Sequence, residues 1–269
     1  MLTLALMLAV AAPAGVPPVP AAVRHAEQAR YRVAVGVLGD LGEITVTVTP
    51  LPGGQLAKVV GEGRGALLGM GYTSKRIEGE LDLRTGAARR WTHQRISGGR
   101  TVTDFAVQAA PGKVSTVRRR SDRPDHLEGL DRPTPVMDPV TFLTRLRMAL
   151  PTPGQAYEVL DGRGLWQLVM QSPRPQQGSR PTLRVEGRAL PIWWDGTPDT
   201  ERSERAFTVW LADDELRTPL RLVMPMGIAE VRVELVSLTR GDPAGRRIAR
   251  ALSTSGLGRT MLATLRARR

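Results

Sequence analysis

Apolar and polar residues alternate along most of this chain, and a period of two is typical of β-strands with one buried face. The stretch from Tyr31 to Val37 puts every second residue on one apolar face, and Glu43 to Thr49 repeats the pattern with threonines on the other face. The stretch from Phe207 to Leu238 predicts a strand, a charged turn, a second strand, a glycine bend and a third strand. Glycine or proline turns separate these runs, so the pattern favours an antiparallel sheet.

Other segments repeat the alternation. Further strands are predicted at residues 55–62, 73–83, 89–96, 101–108, 113–119, 155–160, 164–171 and 182–188. The glycine-rich segment Gly61 to Gly71 has neither the G-x-G-x-x-G nor the P-loop spacing, so we interpret it as a bend or a pair of bulges. Residues 121–135 are predicted to be a polar loop.

A single convincing helix is predicted in the middle of the chain. Asp138 supplies an N-cap and Pro139 a suitable first-turn residue, and Pro151 ends the periodic segment. The predicted fold class is therefore mainly β: a curled antiparallel sheet (a β-roll or open barrel) with one central helix at about 138–150 and a basic C-terminal helical tail.

The two ends of the chain differ in composition from the predicted domain. An apolar run ending in Ala12-Pro13-Ala14 predicts a signal peptide at 1–14, although no Lys or Arg precedes it. A Pro-rich linker is predicted at 15–30, a single β domain at 31–239 and a basic tail at 240–269. The tail holds eight arginines and one aspartate, hence +7 of the formal net charge of +12. This organisation predicts a protein of the periplasm or cell envelope.

The sequence offers little recognisable catalytic chemistry. The absence of cysteine excludes thiol catalysis and Cys-ligated zinc, and His25, His93 and His126 are scattered, so we interpret them as surface or strand-edge residues. No cofactor and no metal site is predicted. The densest carboxylate cluster, Asp213 to Glu215, has the composition of a turn, and acid–base catalysis by Asp213 and Asp214 is the alternative interpretation.

Two adjacent tryptophans precede a polar loop. Trp193 and Trp194 point to opposite faces if they lie on a strand, so one can be buried while the other is exposed. Packing is the first interpretation, and contact with a ligand such as a sugar or a lipid head group is the second.

One segment resembles a known family. Val209 to Asp214, followed by Arg217, Pro219 and Gly227 before a last strand, is similar to the closing signature of the bacterial domain-of-unknown-function family 3108. The resemblance covers roughly residues 31–238 and implies an exported, mainly antiparallel β protein with no established activity. Within this signature we expect Trp210, Asp213, Asp214, Arg217, Pro219 and Gly227 to be structural, forming a hairpin fastened by charges.

Together these features predict a non-enzymatic binding or scaffolding protein, with an apolar or amphipathic molecule as the possible ligand. The alternative is peripheral association with an anionic surface through the Arg-rich tail. A hydrolase using Asp213 and Asp214 is the less favoured alternative. No specific nucleic-acid partner is predicted, and the sequence identifies no partner protein.

Overall fold

The computed structural model describes residues 23–67, 71–110, 112–120, 123–162, 164–226 and 229–241. These residues form one large sheet and one short helix, as expected. The first half contains β1 Glu27–Val35, β2 Asp40–Pro50, β3 Leu56–Leu67, β4 Gly71–Asp82, β5 Ala88–Ser97, β6 Arg100–Ala110, β7 Lys113–Arg120 and β8 Arg123–Asp131. The second half contains β9 Val136–Met137, α1 Pro139–Met148, β10 Ala156–Leu160, β11 Leu165–Met170, β12 Arg174–Gln176, β13 Thr182–Ile192, β14 Arg205–Ala212, β15 Pro219–Met226 and β16 Ala229–Arg240.

The sheet follows the chain as two meanders joined at their first and last strands. Its order is β8-β7-β6-β5-β4-β3-β2-β1-β16-β15-β14-β13-β11-β10-β9, and β12 pairs with β13. The ladders are antiparallel apart from the short parallel pair of β9 with β10. Strand β1 runs against β16 from Glu27 opposite Arg240 to Val35 opposite Val231, so the two ends of the described domain meet in the middle of the sheet.

The core shows that the sheet curls. Trp91 of β5 and Val114 of β7 belong to the same buried apolar cluster as Leu165 of β11 and Val209 of β14, although these strands lie far apart in the sheet order. Helix α1 lies inside the curl, where Phe142 and Leu146 join this main cluster. Val140 joins a second cluster with Val59 and Leu81 on β3 and β4. The predicted curled antiparallel sheet with one central helix is confirmed.

Several predicted boundaries are wrong. Strand β1 begins at Glu27 and Val23 is fully buried, so the predicted linker at 15–30 extends too far into the domain. The predicted polar loop at 121–135 contains strand β8. Its polar residues lie on an edge strand, where water can hydrate them. The bend predicted at Gly61 to Gly71 covers fewer residues than expected, because β3 continues to Leu67 and β4 begins at Gly71. The predicted signal peptide lies outside the described residues, as do all but Arg240 and Gly241 of the predicted tail.

Candidate functional site

Two adjoining cavities lie between helix α1 and the concave face of the sheet. The first has a volume of about 200 Å³ and the second of about 220 Å³. Leu143 of the helix and Leu222 of β15 line both cavities, so they mark the boundary between them. The first is also lined by Phe142, Leu168, Ala189, Phe207 and Met224, and the second by Ala29, Tyr31, Ile44, Val46, Val209 and Val233.

Strand alternation supplies this apolar lining. Phe207 and Val209 are buried on the inner face of β14, while Thr208 and Trp210, which alternate with them, point outward. Other residues of the lining, such as Leu143, Leu222 and Ile44, are only half-buried. Apolar side chains that line a concave space without filling it are typical of sites for apolar ligands.

The N-terminus of α1 is fixed by its cap and by two glycines. Asp138 Oδ1 accepts hydrogen bonds from the backbone N–H groups of Val140 and Thr141, both at 2.9 Å. Complete burial raises the pKa of Asp138. A Cβ at Gly61 of β3 would lie 2.6 Å from Val140 Cγ2, and one at Gly79 of β4 would lie 2.9 Å from Asp138 Oδ2. The helix can therefore lie this close to the sheet because these two positions have no side chain.

The second cavity ends at a group of buried polar side chains whose hydrogen bonds are made within the protein. Arg147 of α1 pairs with Glu27 of β1, with side-chain exposures of 4% and 6%. Tyr31 donates its hydroxyl hydrogen bond to the carbonyl of Pro219 at 3.2 Å. Burial raises the pKa of Tyr31, so this phenol is neutral throughout the ordinary pH range. Because these polar groups already have partners within the protein, this end of the cavity does not require a polar group from a ligand.

The mouth of the first cavity carries charge. Trp166, Arg205 and Asp161 all line it. The guanidinium carbons of Arg202 and Arg205 lie 4.9 and 5.2 Å from the centroid of the Trp166 ring, within the range of cation–π interactions. An apolar interior with charged groups at one end suits a molecule with an apolar part and a polar end.

His93 lies beside a separate small cavity of about 30 Å³. The prediction that His93 is a surface or strand-edge residue is wrong: it is 6% exposed, because β5 is an interior strand and His93 points into the curl. Among the residues that the structure describes, neither ring nitrogen has a hydrogen-bond partner, and Asp104 Oδ2 is 4.0 Å from Nδ1. Asp104 is held instead by Arg118 Nε at 2.5 Å. Burial lowers the pKa of His93 to about 3, so its ring is neutral at ordinary pH.

The predicted family signature forms the β14–β15 hairpin. Asp214 Oδ1 accepts hydrogen bonds from the backbone N–H groups of Leu216 and Arg217 at 3.0 and 2.8 Å. Its ion-pair partner is Arg180 at 3.6 Å, so the expected charge pairing with the Arg217 side chain is not what fastens the turn. Asp213 and Asp214 are both exposed to solvent. Pro219 begins β15 as expected, and Gly227 lies outside the described residues.

The tryptophans that the sequence singled out lie away from the apolar cavities. Trp210 points away from the core, where its indole N–H donates to Gln176 Oε1 at 2.9 Å, and Arg184 and Arg221 lie 5.9 and 5.0 Å from its ring centroid. Trp193 is 44% exposed, whereas Trp194 packs against the main core cluster beside the small cavity of His93. Neither Trp193 nor Trp194 lines the cavities under α1, and contact of either with a ligand stays a prediction.

Sequence reasoning missed the residues that shape the candidate site. Arg205 stands two positions before Phe207 and therefore belongs to the inner face of β14. The alternation in the sequence could have indicated that this face ends in a charge. Leu143 and Leu222 could be recognised as apolar face residues. Their contact could not be predicted from the sequence, because they lie on a helix and a strand 79 positions apart (222 minus 143).

Comparison with solved structures gives similar folds. The crystal structure of a β-barrel-like protein of domain of unknown function DUF1849 from Brucella abortus aligns with 81% of this chain and 98% of its own chain, at a TM-score of 0.51 and 14% identity. LprF from Mycobacterium bovis aligns over 81% of this chain and 87% of its own (TM-score 0.32, 14% identity). The Mycobacterium tuberculosis lipoprotein LppX also aligns over 81% and 87% (TM-score 0.28, 13% identity). No family model and no curated protein matches the chain.

The Brucella structure confirms the mainly β fold and a relation in fold to a protein of unknown function. At 14% identity the likeness concerns the fold alone, and membership of family 3108 stays a prediction. In the described part of the chain, no helix has both the length and the apolar character needed to cross a membrane. Within the same residues, no group of three or more His, Asp or Glu side chains is placed to hold a metal ion.

Proposed function

We propose that this chain is an exported, non-enzymatic binding protein that holds an apolar or amphipathic ligand between helix α1 and the sheet. The observation that carries the proposal is the pair of adjoining apolar cavities on either side of Leu143 and Leu222. Their volumes, about 200 and about 220 Å³, together reach the lower part of the range of roughly 300–1,000 Å³ found for small-molecule sites. An apolar chain placed there would cover the half-buried residues of the lining, which favours binding through the hydrophobic effect.

The predicted signal peptide supports export, and the membership of family 3108 that the hairpin signature suggests is part of the same proposal. The alternative hydrolase at Asp213 and Asp214 has less support. Both residues are exposed in a turn on the hairpin, and the oxygens of Asp214 serve the turn backbone and Arg180. A carboxylate pair suited to acid–base catalysis needs an environment that separates the pKa values of its members, such as a shared buried site.

Binding can be tested with an uncharged fluorescent probe. We expect 1-N-phenylnaphthylamine to gain fluorescence with the native protein in a saturable titration. Leu222→Trp should abolish most of the gain, because the larger ring would occupy the boundary between the two cavities. Val236→Trp is the matched control, since Val236 lies on the neighbouring strand β16 and is 62% exposed. Equal titrations for the two variants, with both folded by circular dichroism, would refute binding under the helix.

The Arg-rich tail suggests a second role for the same protein. Residues 240–269 carry eight arginines and one aspartate, and basic segments bind anionic surfaces through charge. Co-sedimentation with phosphatidylglycerol vesicles should fall when the tail arginines are replaced by glutamine, and phosphatidylcholine vesicles should retain neither form. Undiminished retention of the variant on the anionic vesicles would remove this role.

A further inference from the structure

Arg205 ends the apolar inner face of β14. It shares that face with Phe207 and Val209, which lie two and four positions later on the strand and are buried. Its cross-strand partner on β13 is Ala189, and both residues line the first cavity. A small residue opposite leaves space above the sheet, so the arginine stands at the open end of an otherwise apolar row.

Trp166 positions this arginine. The guanidinium carbon of Arg205 lies 5.2 Å from the ring centroid, and the indole ring is itself part of the cavity wall. Arg202 lies over the same ring at 4.9 Å, but it is engaged by Asp199 at 2.5 Å and by the carbonyls of Leu165 and Ile192. Stacking on an aromatic ring leaves the N–H groups at the edge of a guanidinium free to donate to an anion.

The nearby acidic groups are engaged elsewhere. Glu204 faces Arg188 at 3.9 Å, and Arg205 forms no ion pair with an acidic residue among those that the structure describes. Asp161, which also lines the cavity, accepts a hydrogen bond from the N–H of Gly164 at 3.0 Å and so helps to close its own turn. Arg205 is therefore the cation that the mouth of the cavity presents to a ligand.

We infer that the ligand is an apolar chain with an anionic head group, a carboxylate or a phosphate, and that Arg205 binds the head while the chain extends past Leu143 and Leu222. This inference rests on the proposed function and adds the chemical class of the ligand. Of the charged residues that line the second cavity, Glu27 and Arg147 neutralise each other. Arg221 lies over the outward-pointing Trp210 ring and faces Glu234 at 3.6 Å, which places the head group at the Arg205 end. Arg205 contributes charge-assisted hydrogen bonds, which are stronger than neutral ones.

The test compares four ligands of equal chain length on the full-length protein. Dodecanoate, dodecyl phosphate, dodecanol and dodecyltrimethylammonium each displace 1-N-phenylnaphthylamine from the native protein, from Arg205→Gln and from Arg174→Gln. Arg174 is a matched control, because it lies on exposed strand β12 and does not line the cavity. We expect Arg205→Gln to weaken the binding of at least one of the two anions by about tenfold or more, which corresponds to the loss of one charge-assisted hydrogen bond. The affinity for dodecanol should change by less than about twofold.

The outcomes separate the inference from the proposed function. A loss confined to dodecanoate identifies a carboxylate head, and a loss confined to dodecyl phosphate identifies a phosphate head. Equal displacement by all four ligands, unchanged in Arg205→Gln, would overturn the role of Arg205 while leaving apolar binding in place. Tighter binding of the ammonium ligand than of dodecanol would likewise overturn the inference. Failure of the probe to bind the native protein would overturn both.

Discussion

Arg147 of helix α1 forms a buried ion pair with Glu27 of strand β1, 120 residues earlier in the chain. Arg147 Nη2 donates to Glu27 Oε2 at 3.1 Å, and its Nε donates to the carbonyl of Leu216 at 3.2 Å. One side chain thus ties the end of the helix to the strand that joins the two meanders and to the β14–β15 hairpin. The same pair forms part of the wall of the second cavity.

Removing one member of this pair should strongly destabilise the fold. We expect Arg147→Met to lower the free energy of unfolding by about 3–5 kcal/mol, because Glu27 would keep a buried charge without a partner. Adding Glu27→Leu should recover most of the loss, measured by urea denaturation. Arg30→Met is the control: its pair with Glu43 is 53% and 65% exposed, and such pairs contribute less than about 1 kcal/mol. A double variant as unstable as Arg147→Met would contradict this account.

Gly61 should tolerate a side chain less well than Gly63, although both lie on β3. A Cβ at position 61 would approach Val140 Cγ2 to 2.6 Å, whereas at position 63 the nearest atom would be Ile44 Cγ1 at an ordinary 3.7 Å. We expect Gly61→Ala to cost about 1–3 kcal/mol of unfolding free energy through overpacking, with Gly63→Ala close to neutral. Equal urea midpoints for the two variants would show that the helix does not lie on Gly61.

Stability should depend on pH through His93. Burial is the main cause that lowers its pKa to about 3, and the positive charges of Lys75, Arg95 and Arg118 act in the same direction, against Asp161. As the pH falls below about 6.5, the unfolded chain binds a proton at His93 that the folded chain does not accept until about pH 3. The free energy of unfolding should therefore fall with decreasing pH in this window, by at most about 1.4 kcal/mol per pH unit from this group.

Two histidine variants isolate this contribution. His93→Leu should reduce the acid slope of urea-derived stability, because the titrating group is absent. It should also be at least as stable as the native protein at pH 7, since both buried ring nitrogens lack hydrogen-bond partners among the described residues. His126→Leu is the control, because it also removes an imidazole but from a side chain that is 71% exposed. Identical slopes for native protein and His93→Leu would contradict a neutral, buried His93.

The hairpin signature should affect stability before it affects binding. Asp214→Ala should cost about 1 kcal/mol, because two turn N–H groups lose their acceptor, while Asp213→Ala should cost little. Trp210→Ala should cost about 1–2 kcal/mol through loss of the Gln176 hydrogen bond and two cation–π contacts. Melting temperatures and probe titrations measure both effects. A variant that melts normally but no longer binds the probe would give the hairpin a functional role instead.

The sequence predicted local structure better than it predicted the site. Alternation in Phe207 to Leu211 and the Asp138-Pro139 cap depend on nearby residues, and both the strand and the helix formed as expected. Strand β8 was missed because an edge strand needs little apolar alternation, and Arg123 to Asp131 is largely polar.

The candidate site could not be predicted because it depends on curvature. The pairing of Glu27 with Arg147, the burial of His93 and the meeting of Leu143 with Leu222 all follow from how the sheet wraps the helix. A period of two defines two faces for each strand but does not say which face encloses a space. The charge at Arg205 was visible in the sequence, and only the curled sheet places it beside Trp166 at the mouth of a cavity.

A crystal structure of the full-length protein with 12-bromododecanoate tests most directly whether the ligand lies under helix α1. The anomalous signal of bromine locates the end of the apolar chain without reference to any assumed pose. We expect bromine inside the second cavity, beyond Leu143 and Leu222, with the carboxylate at Arg205. Bromine on the outer face, for example beside the exposed side chains of Phe105 and Leu127, with the space under α1 unoccupied, would contradict this expectation.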